Sequence, residues 1–285
     1  MFGVIVFSNL ALSEWPRRRT VSSVTFTLLP AVDVAAGRAV RPVQPDGSDE
    51  PDSLDPLEAA LAWQAQGAEW IHLVDLDAAH GRGPNAELLE TVISSLDVPV
   101  ELSGGVDDDA SLARALTSGS NRIVLATSAV RDPAWCARAV ERHGERIAIA
   151  LDVRLVEQVD GSVLHRLAAR GSARDDDAGQ DDAGQDDDGE LWPTLTALDR
   201  AGCARYIVTD VSRDGMLNGP NVDLYQAVIA ATPAAVIASG GVSSVDDLVA
   251  LAHLAATGTG LEGAVVGGAL YAGRFTFDEA LAAVR

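Results

Sequence analysis

The sequence predicts one α/β domain, a single (β/α)8 TIM barrel over residues 25–285 built from two fused half-barrels. Three observations predict it. Eight short, near-continuous apolar runs alternate with helix-like stretches, as parallel strands buried on both faces require. The alternation fills about 260 residues, an ordinary size for one barrel. The third observation is a repeat: SGGV occurs at 103–106 and 239–242, and GPN at 83–85 and 219–221, each pair 136 residues apart.

In chain order, the opening segment places its apolar residues before Arg17, Arg18 and Arg19. That is the reverse of a secretory signal, so residues 1–24 are expected to form a flexible extension. FTLLPAVDV (26–34) reads as the first strand, and PLEAALAWQAQG (56–67) as a helix with Leu57, Ala60 and Leu61 on one side and Gly67 closing it. WIHLVDL (70–76), VPVELS (98–103) and RIVLA (122–126) supply strands two to four, with helices over 110–119 and 133–144. RIAIALDV (146–153), RYIVTDV (205–211), AAVIAS (234–239) and GAVVG (263–267) supply the last four, with a helix over 245–254. AVDV (31–34) matches ALDV (150–153), and VLATSAV (124–130) stands where VVGGALY (265–271) stands in the second half. Four β/α units therefore appear twice.

Composition removes several functions. The net charge is −21, which argues against nucleic acid as a partner. Residues 172–190 hold eight Asp, one Glu and one Arg, a net of −8, leaving −13 for the rest. That stretch reads as a disordered, self-repelling insertion after the fifth strand. The surface is that of a well-solvated cytoplasmic protein, and no apolar run is long enough to span a membrane. All 21 basic residues are Arg, so Schiff-base lysine chemistry, pyridoxal-phosphate attachment and a Walker-type loop are excluded. Cys136 and Cys203 lack CxxC spacing and the five His do not cluster, so neither a disulfide nor a metal is indicated.

The doubled motif carries the functional reading. Ser-Gly-Gly at a strand end leading into a helix lets the backbone approach a ligand and aims N–H groups at it, which favours an anion such as phosphate. Ser103, Gly104 and Gly105 with Thr127 form one such cradle, and Ser239, Gly240 and Gly241 with Gly267 and Gly268 form the other. Two cradles across one barrel mouth imply a long substrate with a phosphate at each end. Between them, Asp33 and Asp152 end strands one and five, and Thr209, Asp210 and Asp214 follow strand six. Carboxylates on the loop side of a barrel suit general acid and base work.

These stretches, LLPAVDVAAGRAVR, GAEWIHLVDLDAAHGRGPN, VELSGGVDDD, ARYIVTDVSRDGMLNGPN and VIASGGVSSVDDL, closely resemble the histidine-pathway phosphoribosylformimino-aminoimidazole carboxamide ribotide isomerases. The likeness covers about residues 26–285 outside the acidic insertion and is greatest to the actinobacterial branch, which also serves tryptophan synthesis. The resemblance implies an Amadori rearrangement without a cofactor. It makes Asp33 the general base on the sugar C2 proton and Asp214 the general acid that opens the ribose ring. It places substrate contacts at Arg41, Asp152, Arg170 and Thr209, and it implies a monomer.

The sequence also departs from that pattern. Pro42 and Pro45 replace a usual Leu and Gly, Met216 replaces a Thr, and Gly268 replaces a common Lys. After strand five the dual-substrate branch has an RGRGW-like stretch; here Arg170 matches its arginine but Ser172 replaces its tryptophan, and Trp192 fits the start of the next helix. Loss of that stacking surface, worth about 0.5–1.5 kcal/mol, predicts weak or absent action on phosphoribosylanthranilate. Two rival readings are the related cyclase of imidazole glycerol phosphate synthesis, which has Lys where Arg41 stands, and a non-catalytic phosphosugar binder.

Overall fold

The structure is a computed structural model that describes residues 26–40, 54–168, 189–258 and 260–285. Its strands are β1 (Thr27–Ala35), β2 (Arg38–Val40), β3 (Ile71–Asp75), β4 (Val100–Ser103), β5 (Arg122–Leu125), β6 (Ile147–Glu157), β7 (Val163–Leu167), β8 (Arg205–Asp210), β9 (Ala235–Ser239) and β10 (Leu261–Val266). The helices are α1 (Pro56–Ala65), α2 (Leu76–Ala79), α3 (Ala86–Ser94), α4 (Asp109–Thr117), α5 (Pro133–His143), α6 (Leu191–Arg200), α7 (Val222–Ala231), α8 (Val245–Ala256), α9 (Gly268–Tyr271) and α10 (Phe277–Val284).

Strands β1, β3, β4, β5, β6, β8, β9 and β10 pair in parallel in that order, and β10 returns to β1 with Thr27 opposite Gly263. The eight predicted strands thus close the expected barrel. Strand parity divides the core. Outward residues such as Val32, Ile71, Leu73, Ile123, Leu151 and Val208 pack under the helices, almost wholly buried. Burying each such side chain contributes about 1.5–3 kcal/mol. Inward residues Leu29, Ala31, Val124, Ala148, Ile207, Ile237 and Val265 fill the barrel itself.

Two hairpins were not foreseen. The first strand of each half is followed by an antiparallel partner, β2 on β1 and β7 on β6. The β1–β2 turn is Ala36–Gly37, both at positive φ (50° and 73°), the mirror-type turn that matches strand twist. Its strained alanine is fastened by the Ala36 N–H donating to Asp77 Oδ2 at 2.6 Å.

The acidic insertion ends earlier than expected. Gly189 and Glu190, counted with it at 172–190, lie against β7: Leu167 N donates to the Gly189 carbonyl at 2.9 Å, and Glu190 bridges to Arg166. Trp192 falls in the first turn of α6 and its ring meets His165 at 5.0 Å, as its assignment to that helix implied. The extension at 1–24, and residues 172–188 of the insertion, lie outside the described residues.

Candidate active site

The carboxyl ends of the barrel strands open into a cavity of about 880 Å³. Its rim is built by register. Asp33 on β1 stands beside Val74 on β3, which stands beside Ser103 on β4. Across the mouth, Asp152 on β6 stands beside Thr209 on β8, which stands beside Ser239 on β9. All nine residues assigned to the two cradles line this cavity, together with Asp33, Asp152, Thr209 and Asp214. Arg41 and Arg170 lie outside the described residues.

The glycines of the repeat are needed because other backbone passes where a Cβ would stand. In the first half, a side chain at Gly104 would overlap the backbone of Asp75, and one at Gly105 the Ala78 carbonyl. In the second, a Cβ on Gly240 would lie 3.1 Å from Asp214 Oδ1, and one on Gly241 would overlap the Gly219 carbonyl. Positive φ at all four, between 64° and 109°, adds a second reason. Each cradle therefore packs on the loop after the preceding strand. In the second half that loop holds Asp214, and it is tied down where Gly219 N donates to the Gly241 carbonyl at 2.9 Å. Tyr225 on α7 fixes the same cradle from outside, its hydroxyl donating to the Ser239 carbonyl at 2.7 Å.

The GPN repeat is structural. Asn85 Nδ2 donates to Asp75 Oδ1 at 2.8 Å, and Asn221 Nδ2 to Asp210 Oδ2 at 2.6 Å, each clamping its loop to the strand before it. This corrects the grouping of Asp210 with the functional candidates. Its side chain is buried at 1% exposure outside the cavity and accepts from Ser212 and Asn221. Thr127 has a similar second duty: its hydroxyl donates to the Ala150 carbonyl and accepts the Asp152 N–H, both at 3.1 Å. The side chain beside the first cradle thereby positions Asp152.

Below the rim runs a chain of charges, buried at His72, Glu101 and Arg122 and partly buried at Glu262 and Arg205. His72 Nδ1 meets Glu101 Oε1 at 2.7 Å, Arg122 donates to Glu101 Oε2 at 2.9 Å and reaches Glu262 at 3.5 Å, and Arg205 donates to Glu262 at 2.6 Å. The Arg122 guanidinium also lies 4.2 Å over the Trp70 ring. Burial pushes the Glu101 carboxyl up, but the hydrogen bonds and charges of His72 and Arg122 outweigh it and hold the group below its ordinary value.

A family model described as "Histidine biosynthesis protein" matches residues 27–276. The chain belongs to the histidine biosynthesis protein family. It is 59% identical over 262 residues to a Saccharopolyspora erythraea protein named 1-(5-phosphoribosyl)-5-((5-phosphoribosylamino)methylideneamino) imidazole-4-carboxamide isomerase, covering 92% of this chain and 100% of the relative. A Nocardia farcinica protein of the same name is 56% identical over the same shares. Phosphoribosyl isomerase A of Mycobacterium avium is 56% identical over 90% of this chain and 98% of its own.

Five ionisable cavity-lining residues were missed from sequence: His72, His80, Asp107, Arg131 and Arg154. Strand parity could have found two of them, since His72 is two residues from Val74 on β3 and Arg154 two from Asp152 on β6. The cysteines are free and buried away from the cavity, burial pushing Cys136 up to about 12 and Cys203 to about 11, so neither is a nucleophile at neutral pH.

Proposed function

We propose that this protein catalyses the Amadori rearrangement of histidine biosynthesis, taking the carboxamide ribotide from aminoaldose to aminoketose. One observation carries the reading: a single cavity gathers Asp33, Asp214 and both glycine cradles. The substrate spans the mouth with a phosphate in each cradle. Asp214 gives a proton to the ribose ring oxygen, the C1–O bond breaks, and the amine lone pair forms a C1–N double bond. Asp33 then takes the C2 proton, leaving an enolamine. Proton return to C1 and loss of the C2 hydroxyl proton give the ketone, so substrate and product are isomers and no redox partner is consumed. General acid and base groups of this kind each contribute about 10²–10⁴-fold. Arg41, Asp152, Arg170 and Thr209 hold the substrate. No cofactor takes part, and the enzyme works as a cytoplasmic monomer.

A second activity on phosphoribosylanthranilate is suggested by relatives named phosphoribosyl isomerase A. Ser172 at the place of the stacking tryptophan makes that activity weak or lost. Turnover of both ribotides by the purified protein under one set of conditions tests both readings. Action on the carboxamide ribotide alone is expected. Comparable action on both overturns the specialisation, and action on neither overturns the isomerase reading.

A further inference from the structure

The floor of the cavity is apolar at every position but one. Ala31, His72, Val124, Ala150, Ile207 and Val265 line it, each two residues back along its strand from a residue of the rim. His72 is the polar member. Its register partner on β1 is Ala31, while Asp33 stands beside Val74, so His72 lies diagonally below Asp33 on the next strand.

The two ring nitrogens of His72 are placed differently. Nδ1 meets Glu101 Oε1 at 2.7 Å, and Arg122 donates to the other oxygen of that carboxylate at 2.9 Å. Burial works against the charge of Glu101, but His72 and Arg122 outweigh it and keep the carboxylate ionised, so it can only accept. Nδ1 therefore carries the proton of the neutral ring, and Nε2 presents its lone pair. Nε2 has no protein partner among the described residues, and it is not sealed from solvent. The cavity is the open space that His72 lines, so the lone pair faces it. An imidazole backed by a carboxylate in this way is held in one tautomer and is stabilised when it takes a second proton.

The reaction proposed above leaves one proton without an acceptor. Asp33 already carries the C2 proton once the enolamine has formed, and holds it for C1. The proton of the C2 hydroxyl must leave beside that same carbon. Val74, the rim neighbour of Asp33 on β3, offers no group that takes it. We propose that Nε2 of His72 takes the C2 hydroxyl proton, which makes His72 a third catalytic residue of the rearrangement. The proposal rests on the isomerase reading. In this step the O–H bond of the enolamine breaks and its electron pair forms the C2–O double bond. The electron pair of the C1–C2 double bond takes the proton held by Asp33. His72 then gives its proton to water in the open cavity, and Asp214 recovers from water the one it spent on the ring oxygen. Substrate and product remain isomers.

Turnover of the carboxamide ribotide in deuterium oxide tests this on the full chain. His72→Asn keeps an N–H for Glu101 and has nothing at the place of Nε2. It should lower kcat about 100-fold, within the range of general base catalysis, and leave KM little changed. Asp33 still makes the enolamine in this variant, but the enolamine waits and more often reverts. Deuterium at C2 of the recovered substrate, measured against product formed, should therefore rise many-fold over wild type, which a merely structural role would not produce. His72→Gln sets an amide toward the place of Nε2 that binds a hydroxyl without taking its proton, and it should be as slow. A wild-type rate in His72→Asn, a slowed His72→Asn without the gain in deuterium, or a His72→Gln as fast as wild type overturns the proton step and leaves the isomerase standing. A wild type that turns over neither ribotide overturns the isomerase reading and the proton step with it.

Discussion

At the rim of the barrel, Asp33, Val74 and Ser103 stand side by side in the first half, and Asp152, Thr209 and Ser239 do so in the second. One level down the halves part. His72 and Glu101 face each other across β3 and β4, whereas Ile207 and Ile237 do so across β8 and β9. Arg122 completes the charged side, and its place in the second half is taken by Gly263. On the proposed reading, the rim answers to a substrate with a phosphate at each end. The interior has to be filled and to leave no buried polar group unpaired. At this level the first half has His72, Glu101 and Arg122, whose charges run on to Glu262 and Arg205 of the second half, while the second half itself places Ile207 and Ile237 there.

The sharpest way to break the comparison is at the rim, where the halves look most alike. Asp33 and Asp152 occupy matching places, yet only Asp33 is assigned proton transfer. Asp33→Asn is expected to lower kcat by about 10³-fold or more while substrate binding persists, within the range general base catalysis supplies. Asp152→Asn, which alters a supporting contact, should cost about 10-fold to 100-fold. Steady-state rates and ligand affinities of the two variants decide. Equal losses would mean that both halves contribute a reacting carboxylate.

The interior gives the next largest effect. Glu101→Ile installs the second half's residue in the first half and leaves the buried Arg122 only its longer contact to Glu262 and the Trp70 ring, so it should destabilise by about 3 kcal/mol in urea denaturation. Changing the three buried members together, His72→Ile with Glu101→Ile and Arg122→Met, should recover most of that loss, since it leaves no partner stranded among them and keeps Glu262 paired with Arg205. The pH dependence has a definite sign. The folded Glu101 carboxyl lies below its ordinary 4.5, so its contribution is present above that value and is lost as pH falls through the lower folded value. The triple variant should lack this part of the acid limb. A triple variant as unstable as Glu101→Ile would show that the charges specify the first half's interior.

Most of the architecture was legible because barrel strands are apolar on both faces and glycine marks where loops approach each other. The eight strands followed from the first signal, and the glycine pairs that line the cavity from the second. The hairpins were not legible. RAV (38–40) and VLHRL (163–167) are too short or too mixed to read as strands, and they pair only because β1 and β6 run past the barrel rim. Asp210 was misassigned for a related reason: a carboxylate at a strand end reads the same whether it faces the cavity or turns away to clamp a loop. The charge chain escaped notice because its members come from β3, β4, β5, β8 and β10, far apart in sequence. Only closure of the barrel brings them together.

The smallest effect tests whether the halves can exchange parts. The helix after each cradle begins with a capping box, but the two are written in opposite order. In α4 the cap is Asp108 with Ser111 at the third position; in α8 it is Ser244 with Asp247. Ser111 N donates to Asp108 Oδ1 at 2.7 Å and Asp108 N to Ser111 Oγ at 3.1 Å, while Asp247 N donates to Ser244 Oγ at 3.3 Å and Ser244 N to Asp247 Oδ2 at 3.0 Å. Both orders occupy the N–H groups of the cap residue and of the third helical residue. Asp108→Ala or Ser244→Ala should each cost about 1 kcal/mol. The exchange Asp108→Ser with Ser111→Asp writes the second half's box into the first, and it should fall within about 0.5 kcal/mol of wild type at pH 7 with KM unchanged. The Ser111 N–H and hydroxyl are the main reasons the Asp108 carboxyl sits below its ordinary value, so wild-type α4 should lose its cap as pH falls through that lowered value. An exchange that raised KM without loss of stability would mean that the charge at the cap reaches the first cradle, and that the order of the box is part of how the two ends of the substrate are told apart.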